Sequence, residues 1–301
     1  MDFNLCRKIK KIRGSVSKQD INLNLDQMNK IINERENHIP FELYRYRELG
    51  NDENIIKNRH VDSLIKDNVY LSHPSKFNDP YDSAFSINVE QFKAKILQNA
   101  ERKIKKAIVK EMFEKIGIDV NLVSGVDRIY QDMNIDMGNV EELIKNELQV
   151  FYEELIKQIK FNVSCFSEIP DSILMWSHYA NNHEGFCIGY DTSRIPQNIK
   201  KEFYPVFYHE TLFPLIKKGE DINEYKFNSL IKYKDWKYEN EWRLIANVKF
   251  IPLKPSKIYL GVRCNHDIDF FKDIAREKNC KLYKMKMNYS EYKLESEEID
   301  L

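Results

Sequence analysis

The sequence predicts an α+β protein, and three observations carry that expectation. Residues Phe41 to Arg47 read F-E-L-Y-R-Y-R, aromatic and alternating; strand patterns return after Phe161; between them, 89–160 is rich in Lys and Glu, with apolar residues three and four apart. Period two marks strands and period 3.6 marks helices, because side chains alternate across a pleated strand and recur with each helical turn. The expected organisation is a helical segment over 1–40, an α+β core over 41–88 and 161–301 built on a mixed, split sheet, and a helical insertion over 89–160.

In chain order, Leu25, Met28, Ile31 and Ile32 recur at helical spacing between Asn24 and Asn37, giving an amphipathic helix that closes before Pro40. The strand that follows sets Phe41, Leu43, Arg45 and Arg47 on one face and Tyr44 and Tyr46 on the other. A helix over 52–67 leads to a short strand, Val69 to Ser72, and then to Pro74 through Asp82, a loop dense in turn formers. There Asn78, Asp79 and Pro80 brace the core as an Asx or proline turn; the alternative is that Asp79 or Asp82 does chemistry. The insertion breaks around Gly117 to Gly125, and either roofs the core or docks a partner or substrate. Beyond it we expect strands over 161–167, 185–190, 203–208, 239–250, 257–262 and 281–287, and helices over 172–180, 221–234 and 267–278.

Lys+Arg and Asp+Glu both number 47, so no global field points to nucleic acid, and any basic patch must be local. Cys6, Cys165, Cys187, Cys264 and Cys280 are scattered with no C-x-x-C pair, which fits a reducing cytoplasm. No run approaches the length of a membrane span or a signal peptide, so no membrane is expected, and the basic tract Cys6 to Arg13 reads as a solvated terminus. Phosphate-loop, H-E-x-x-H and G-x-S-x-G signatures are all missing. His178 and His183, five apart, make a poor metal pair, so no metal is expected. Nothing in the pattern specifies an oligomeric state.

The chemistry concentrates at Trp236 to Ile245, W-K-Y-E-N-E-W-R-L-I. On a strand, Glu239, Glu241 and Arg243 share one face while Trp242 and Leu244 take the other. Two carboxylates held together push their pKa values apart, so that one serves as an acid or base and the other stays ionised. The plainer alternative is a strand face with an internal Glu/Arg pair. His178, on the Trp176 to Tyr179 helix, is read as a satisfied core histidine in preference to a base.

Six stretches resemble the bacterial family filed as domain of unknown function 2971. They are Tyr44-Arg45-Tyr46, Phe77 through Asp82, Cys165-Phe166-Ser167, Met175 through Ala180, His183 through Asp191, and Tyr238 through Arg243. The resemblance covers about Phe41 to Val262 and assigns no activity. The order of parts is also similar to the ADP-ribosyltransferase fold, in which a first strand offers Arg or His, a middle strand Ser and a late strand Glu. That likeness implies an NAD-dependent ADP-ribosyltransferase, acting as a toxin or phage-defence effector on nucleic acid or protein, with NAD as its substrate. Glu241 would then stabilise the oxocarbenium-like state and Glu239 would activate the acceptor, with Ser167 as the third catalytic position. Arg45 would hold the dinucleotide phosphates, Tyr46 or Tyr179 would stack on nicotinamide, and Arg243 and His178 would complete the cofactor site. Two other readings stand beside it: a non-catalytic nucleotide or nucleic-acid binding module, and a metal-dependent hydrolase or nuclease using Asp79, Asp82 and Glu241.

Overall fold

The strand Glu42–Arg47 buries side chains on both faces, Leu43 in one apolar cluster and Tyr44 and Tyr46 in another, as its alternation predicts. The structure is a computed structural model that describes residues 28–29, 31–50, 55–83, 89–115, 117, 119, 140–212, 223–265 and 268–301. In chain order its elements begin with β1 Glu42–Arg47, α1 Arg59–Ile65, β2 Asn68–Tyr70, α2 Val89–Lys115, α3 Val140–Lys157, β3 Asn162–Ser167 and α4 Ile173–Tyr179. Then come β4 Phe186–Asp191, α5 Gln197–Lys200, β5 Phe203–Pro205, β6 Phe207–His209, α6 Asn223–Asn228, β7 Ile231–Tyr233 and β8 Glu241–Ala246. β9 Phe250–Pro252, β10 Lys257–Leu260, α7 Ile268–Lys278, β11 Lys281–Met287 and β12 Leu294–Ile299 complete the chain.

Two compact units result, Met1–Phe85 with Lys160–Leu301, and Ser86–Ile159. In the second, α2 and α3 pack on each other. In the first, eight strands form one mixed sheet in the order β12-β11-β10-β4-β1-β3-β8-β5. β10 and β11 run parallel, with α7 as their crossover, and the other neighbours are antiparallel. The register between β1 and β3 is a single pair, Tyr44 with Ser167, against six pairs for β1 with β4 and six for β3 with β8. The sheet is thus two well-knit halves joined at one residue pair. Among the described residues no helix is long and apolar enough to cross a membrane.

One face of the sheet carries Leu43, Phe166, Ile188, Trp242, Leu244 and Ile258, covered by Phe271 and Ile274 of α7 and Val61 and Leu64 of α1. The other carries Tyr44, Tyr46, Cys187 and Tyr259 under Met175 and Trp176 of α4. The turn from α4 into β4 is tight: Asn181, Asn182 and His183 all take positive φ, and a Cβ on Gly185 would stand 2.1 Å from the carbonyl oxygen of Arg47. Only glycine permits that approach, and it draws α4 onto the sheet.

Several boundaries differ from the sequence expectation for local physical reasons. Of the helix expected over 24–37, residues 28–29 and 31–33 are helical and Arg35–Asn37 is a 3-10 turn; 24–27 and 30 lie outside the described residues. Most of the break at 117–125 also lies outside them. The helix expected over 52–67 starts at Arg59, because the Asn58 side chain accepts hydrogen bonds from His60 N and Val61 N and caps it. The strand expected over 203–208 splits at Val206, where the chain changes partner: Val206 N donates to Glu241 O, and Phe207 N to Leu230 O. Its second half, β6, runs parallel to β7, so 231–233 is strand and not the end of a helix.

Candidate active site

The strand expected from Glu239 begins instead at Glu241. Lys234–Glu239 is a 3-10 turn, ended by Asn240 in the left-handed region at φ 43°. Asparagine tolerates that conformation better than other residues with a Cβ. Glu239 and Glu241 therefore do not share a strand face, yet their carboxylates still converge, because Lys232 on β7 reaches both. Its Nζ donates to Glu239 Oε2 at 2.5 Å and to Glu241 Oε2 at 3.2 Å.

Arg243 closes the cluster from the other side. Its Nε donates to Glu241 Oε1 at 2.7 Å and its Nη2 to Glu241 Oε2 at 3.2 Å, while Nη1 and Nη2 grip the two oxygens of Asp82 at 2.7 Å each. Nη1 also donates to Ser229 O at 2.6 Å, and the Phe77 ring centroid lies 5.4 Å from the guanidinium carbon. The planar fork is thus used on both edges. All five side chains are 5% exposed or less. Isolated charges at that depth would be very costly, and mutual pairing offsets the desolvation.

The two glutamates titrate in opposite directions. Burial, reinforced by the neighbouring Glu241, pushes Glu239 up to about 7. Burial would also raise Glu241, but Arg243 and Lys232 override it and hold that carboxyl well below the usual carboxylate range. Burial likewise favours neutral Lys232, and Glu241, Glu239 and Asp82 outweigh it to keep the ammonium charged. With Glu239 protonated, the two cations balance Glu241 and Asp82; with Glu239 ionised, the cluster carries one net negative charge. Near neutral pH, Glu239 is the member able to exchange a proton.

Around Glu239 lies the rim. Tyr179 at the end of α4 donates its hydroxyl to Glu239 Oε1 at 2.6 Å, and its own pKa is raised by burial and by that carboxylate. His178 Nδ1 is 2.9 Å from Tyr238 Oη, and its ring meets Trp236 and Tyr238 edge-on at 6.2 and 6.0 Å. His178 is exposed, not the core histidine expected, and Trp236, Tyr238 and Tyr179 are half-buried. Lys232 Nζ stands 5.0 Å from the Trp236 ring centroid, joining rim to cluster.

The other expected site residues separate. Ser167 is fully buried; its hydroxyl donates to Glu239 O at 2.7 Å and accepts from Ile169 N, so it holds the backbone that carries Glu239. Tyr46 is buried against Trp176, ring centroids 5.3 Å apart, with its hydroxyl on Ile169 O, and has no face free for stacking. Arg45 stands on the opposite face of the sheet. Its neighbour Tyr44 pairs with Ser167, which pairs with Glu241, so Tyr44, Ser167 and Glu241 share one face and Arg45 takes the other. There its guanidinium lies 5.3 Å from the Phe166 ring centroid, Nη2 donates to Tyr70 O, and Nε has no partner among the described residues. Arg45 and Glu241 cannot grip one ligand.

The sequence pattern does not mark two members of the cluster as partners of both glutamates. Lys232 lies within the stretch expected to be helical, and a lysine beside Leu230 and Ile231 gives no sign of burial, because lysines are seldom buried. The sequence joins Asp82 to Glu241, together with Asp79, only in the metal reading. In the structure Asp79 accepts from Tyr81 N at 2.8 Å, the expected Asx turn, while Asp82 enters the ion cluster. Lys232 and Arg243 engage all three carboxylates, and among the described residues no group of three or more His, Cys, Asp or Glu is arranged to hold a metal ion. A cavity of about 460 Å³ lies elsewhere, lined by Pro40, Glu42, Tyr44, Glu168 and Asp191, and shares no residue with the cluster.

The segment that builds this site is also the part of the chain that matches a family model. Residues 175–244 match DUF2971, a protein of unknown function. The matched segment runs from α4 into β8 and contains Tyr179, Lys232, Glu239, Glu241 and Arg243; Asp82 and Ser167 come from outside it. The resemblance read from the sequence holds over this stretch, which is narrower than 41–262. No curated protein and no solved structure matches the chain.

Proposed function

We propose that the cluster is the acid–base centre of an ADP-ribosyltransferase-like enzyme that cleaves the N-glycosidic bond of NAD. The observation that carries this reading is Glu239: one carboxyl raised to about 7, beside another held ionised, at the foot of a half-exposed rim of His178, Trp236 and Tyr238. In this reading the roles of the glutamates differ from those the resemblance implies. Glu241, held well below the usual carboxylate range by Arg243 and Lys232, supplies fixed negative charge that favours the oxocarbenium-like state. Glu239 is the base. The C1′–N bond breaks with its electron pair leaving on nicotinamide, the acceptor bonds to C1′, and the acceptor's proton passes to Glu239. Tyr179 and Lys232 steady the ionised form of that base.

The test is nicotinamide release from NAD by the purified full chain. Glu239→Gln should lower it about a hundredfold, the usual size of a general-base contribution, with the circular dichroism spectrum intact. Absence of release by the wild type across pH 6 to 9, or equal release by the variant, overturns the reading.

A second reading has an observation of its own. The whole ion cluster is sealed and internally paired, which suits a scaffold that only holds a nucleotide against the aromatic rim. Glu239→Gln then leaves nucleotide binding and function unchanged, whereas Trp236→Ala removes both.

A further inference from the structure

We infer that α2 carries a docking stripe for the phosphate backbone of a polynucleotide. Residues 102–110 read R-K-I-K-K-A-I-V-K, five cations and no acid in a chain whose charges balance as a whole. On the helix, Arg102, Lys106 and Lys110 follow one another at i, i+4 and i+8, about 6 Å apart along the axis, with Lys103 beside them. All four are exposed, whereas Lys105 and Val109, one residue back along the same course, are buried. Among the described residues Arg102, Lys103 and Lys106 have no acidic partner, and Lys110 reaches only Glu114, at 3.6 Å.

The i, i+4 neighbours of Lys106 are both cations, an arrangement that destabilises a helix in isolation. Long like-charged columns of this kind are relieved by an anion of matching extent, and a polynucleotide backbone is one. A membrane surface suits the helix less. Among the described residues of the helix, the large exposed apolar side chains, Ile108 and Met112, lie on the side away from the stripe, so a flat bilayer cannot receive these and the stripe at once. The backbone contacts supply position and affinity without base specificity. This surface does not depend on the NAD reading, and Glu239→Gln should bind oligonucleotide as the wild type does.

The test is fluorescence anisotropy of labelled single-stranded and duplex oligonucleotides with the full chain, repeated across salt concentrations. The wild type should bind at low salt and weaken steeply as salt rises. Arg102→Glu, Lys106→Glu and Lys110→Glu together should cost at least tenfold in affinity and flatten the slope of log affinity against log salt by about two to three. The neutral triple variant Arg102→Gln, Lys106→Gln and Lys110→Gln, which retains good helix formers, should show a loss in the same direction. No binding at low salt, unchanged affinity in the neutral triple variant, or tighter retention on anionic phosphatidylserine vesicles than on oligonucleotide would each overturn the proposal.

Discussion

Tyr179 donates its hydroxyl to Glu239 at 2.6 Å, tying the last residue of α4 to the one carboxylate in the cluster that exchanges its proton near neutrality. That bond favours the ionised form. Tyr179→Phe keeps the ring and removes the donor, so the Glu239 pKa should move upward and the alkaline rise of any Glu239-dependent rate should shift with it. A pH–rate profile, or direct NMR titration of the labelled carboxyl, reads the shift. No change would mean that burial, Glu241 and Lys232 set the ionisation of Glu239 without the Tyr179 hydroxyl.

Lys232 is the cation shared by both glutamates, and removing it leaves buried negative charge uncompensated. Lys232→Met should destabilise the fold by about 3–5 kcal/mol at pH 8, measured by urea denaturation. Adding Glu239→Gln should recover part of that loss, because it deletes one of the stranded charges. A single-variant cost below about 1 kcal/mol would show that the cluster relaxes or admits water.

The pH dependence of stability follows from the raised Glu239. Its folded pKa of about 7 exceeds the ordinary value of 4.5, so between those values the folded state binds more protons than the unfolded chain. Stability from this group is present below about pH 4.5 and is lost as pH rises through 7, on the order of 3 kcal/mol in all. Glu241 works the other way: its depressed pKa contributes stability above about 4.5 that disappears under acid. Chemical denaturation from pH 5 to 8 should therefore show wild-type stability falling relative to Glu239→Gln. Parallel curves would place the Glu239 pKa at its ordinary value.

Local pattern made the strands legible and left their meeting invisible. The alternation in Phe41 to Arg47 assigns Arg45 and Tyr44 to opposite faces correctly, but which of those faces also receives Glu241 depends on the Tyr44–Ser167 and Ser167–Glu241 pairings, which no short window contains. Glu239 and Glu241 do converge, though through the left-handed Asn240 and a shared lysine and not through strand period. Asp82 meets Arg243 across 161 positions of chain, a distance at which turn chemistry says nothing about partners. The strand position of Lys232 is not legible locally, because the switch of partner at Val206, which creates β6 and so β7, is a tertiary event.

The two arginines on opposite faces give the sharpest test of that arrangement. Arg45 is buried, its pKa is lowered by that burial, and its Nε is unpartnered among the described residues. Replacing such a group with an apolar side chain of similar length removes a desolvated charge at little cost in pairing, so Arg45→Met should be neutral or stabilising in thermal denaturation. It should also leave nicotinamide release unchanged, since Arg45 touches nothing in the Glu239 cluster. Arg243→Met removes the common partner of Glu241 and Asp82 and should cost about 3–5 kcal/mol. It should also raise the Glu241 pKa, because Arg243 is the leading influence that opposes burial there. If Arg45→Met abolishes release while the fold persists, the face assignment does not describe the working site, and a ligand must be reaching Arg45 by a route that the sheet blocks here.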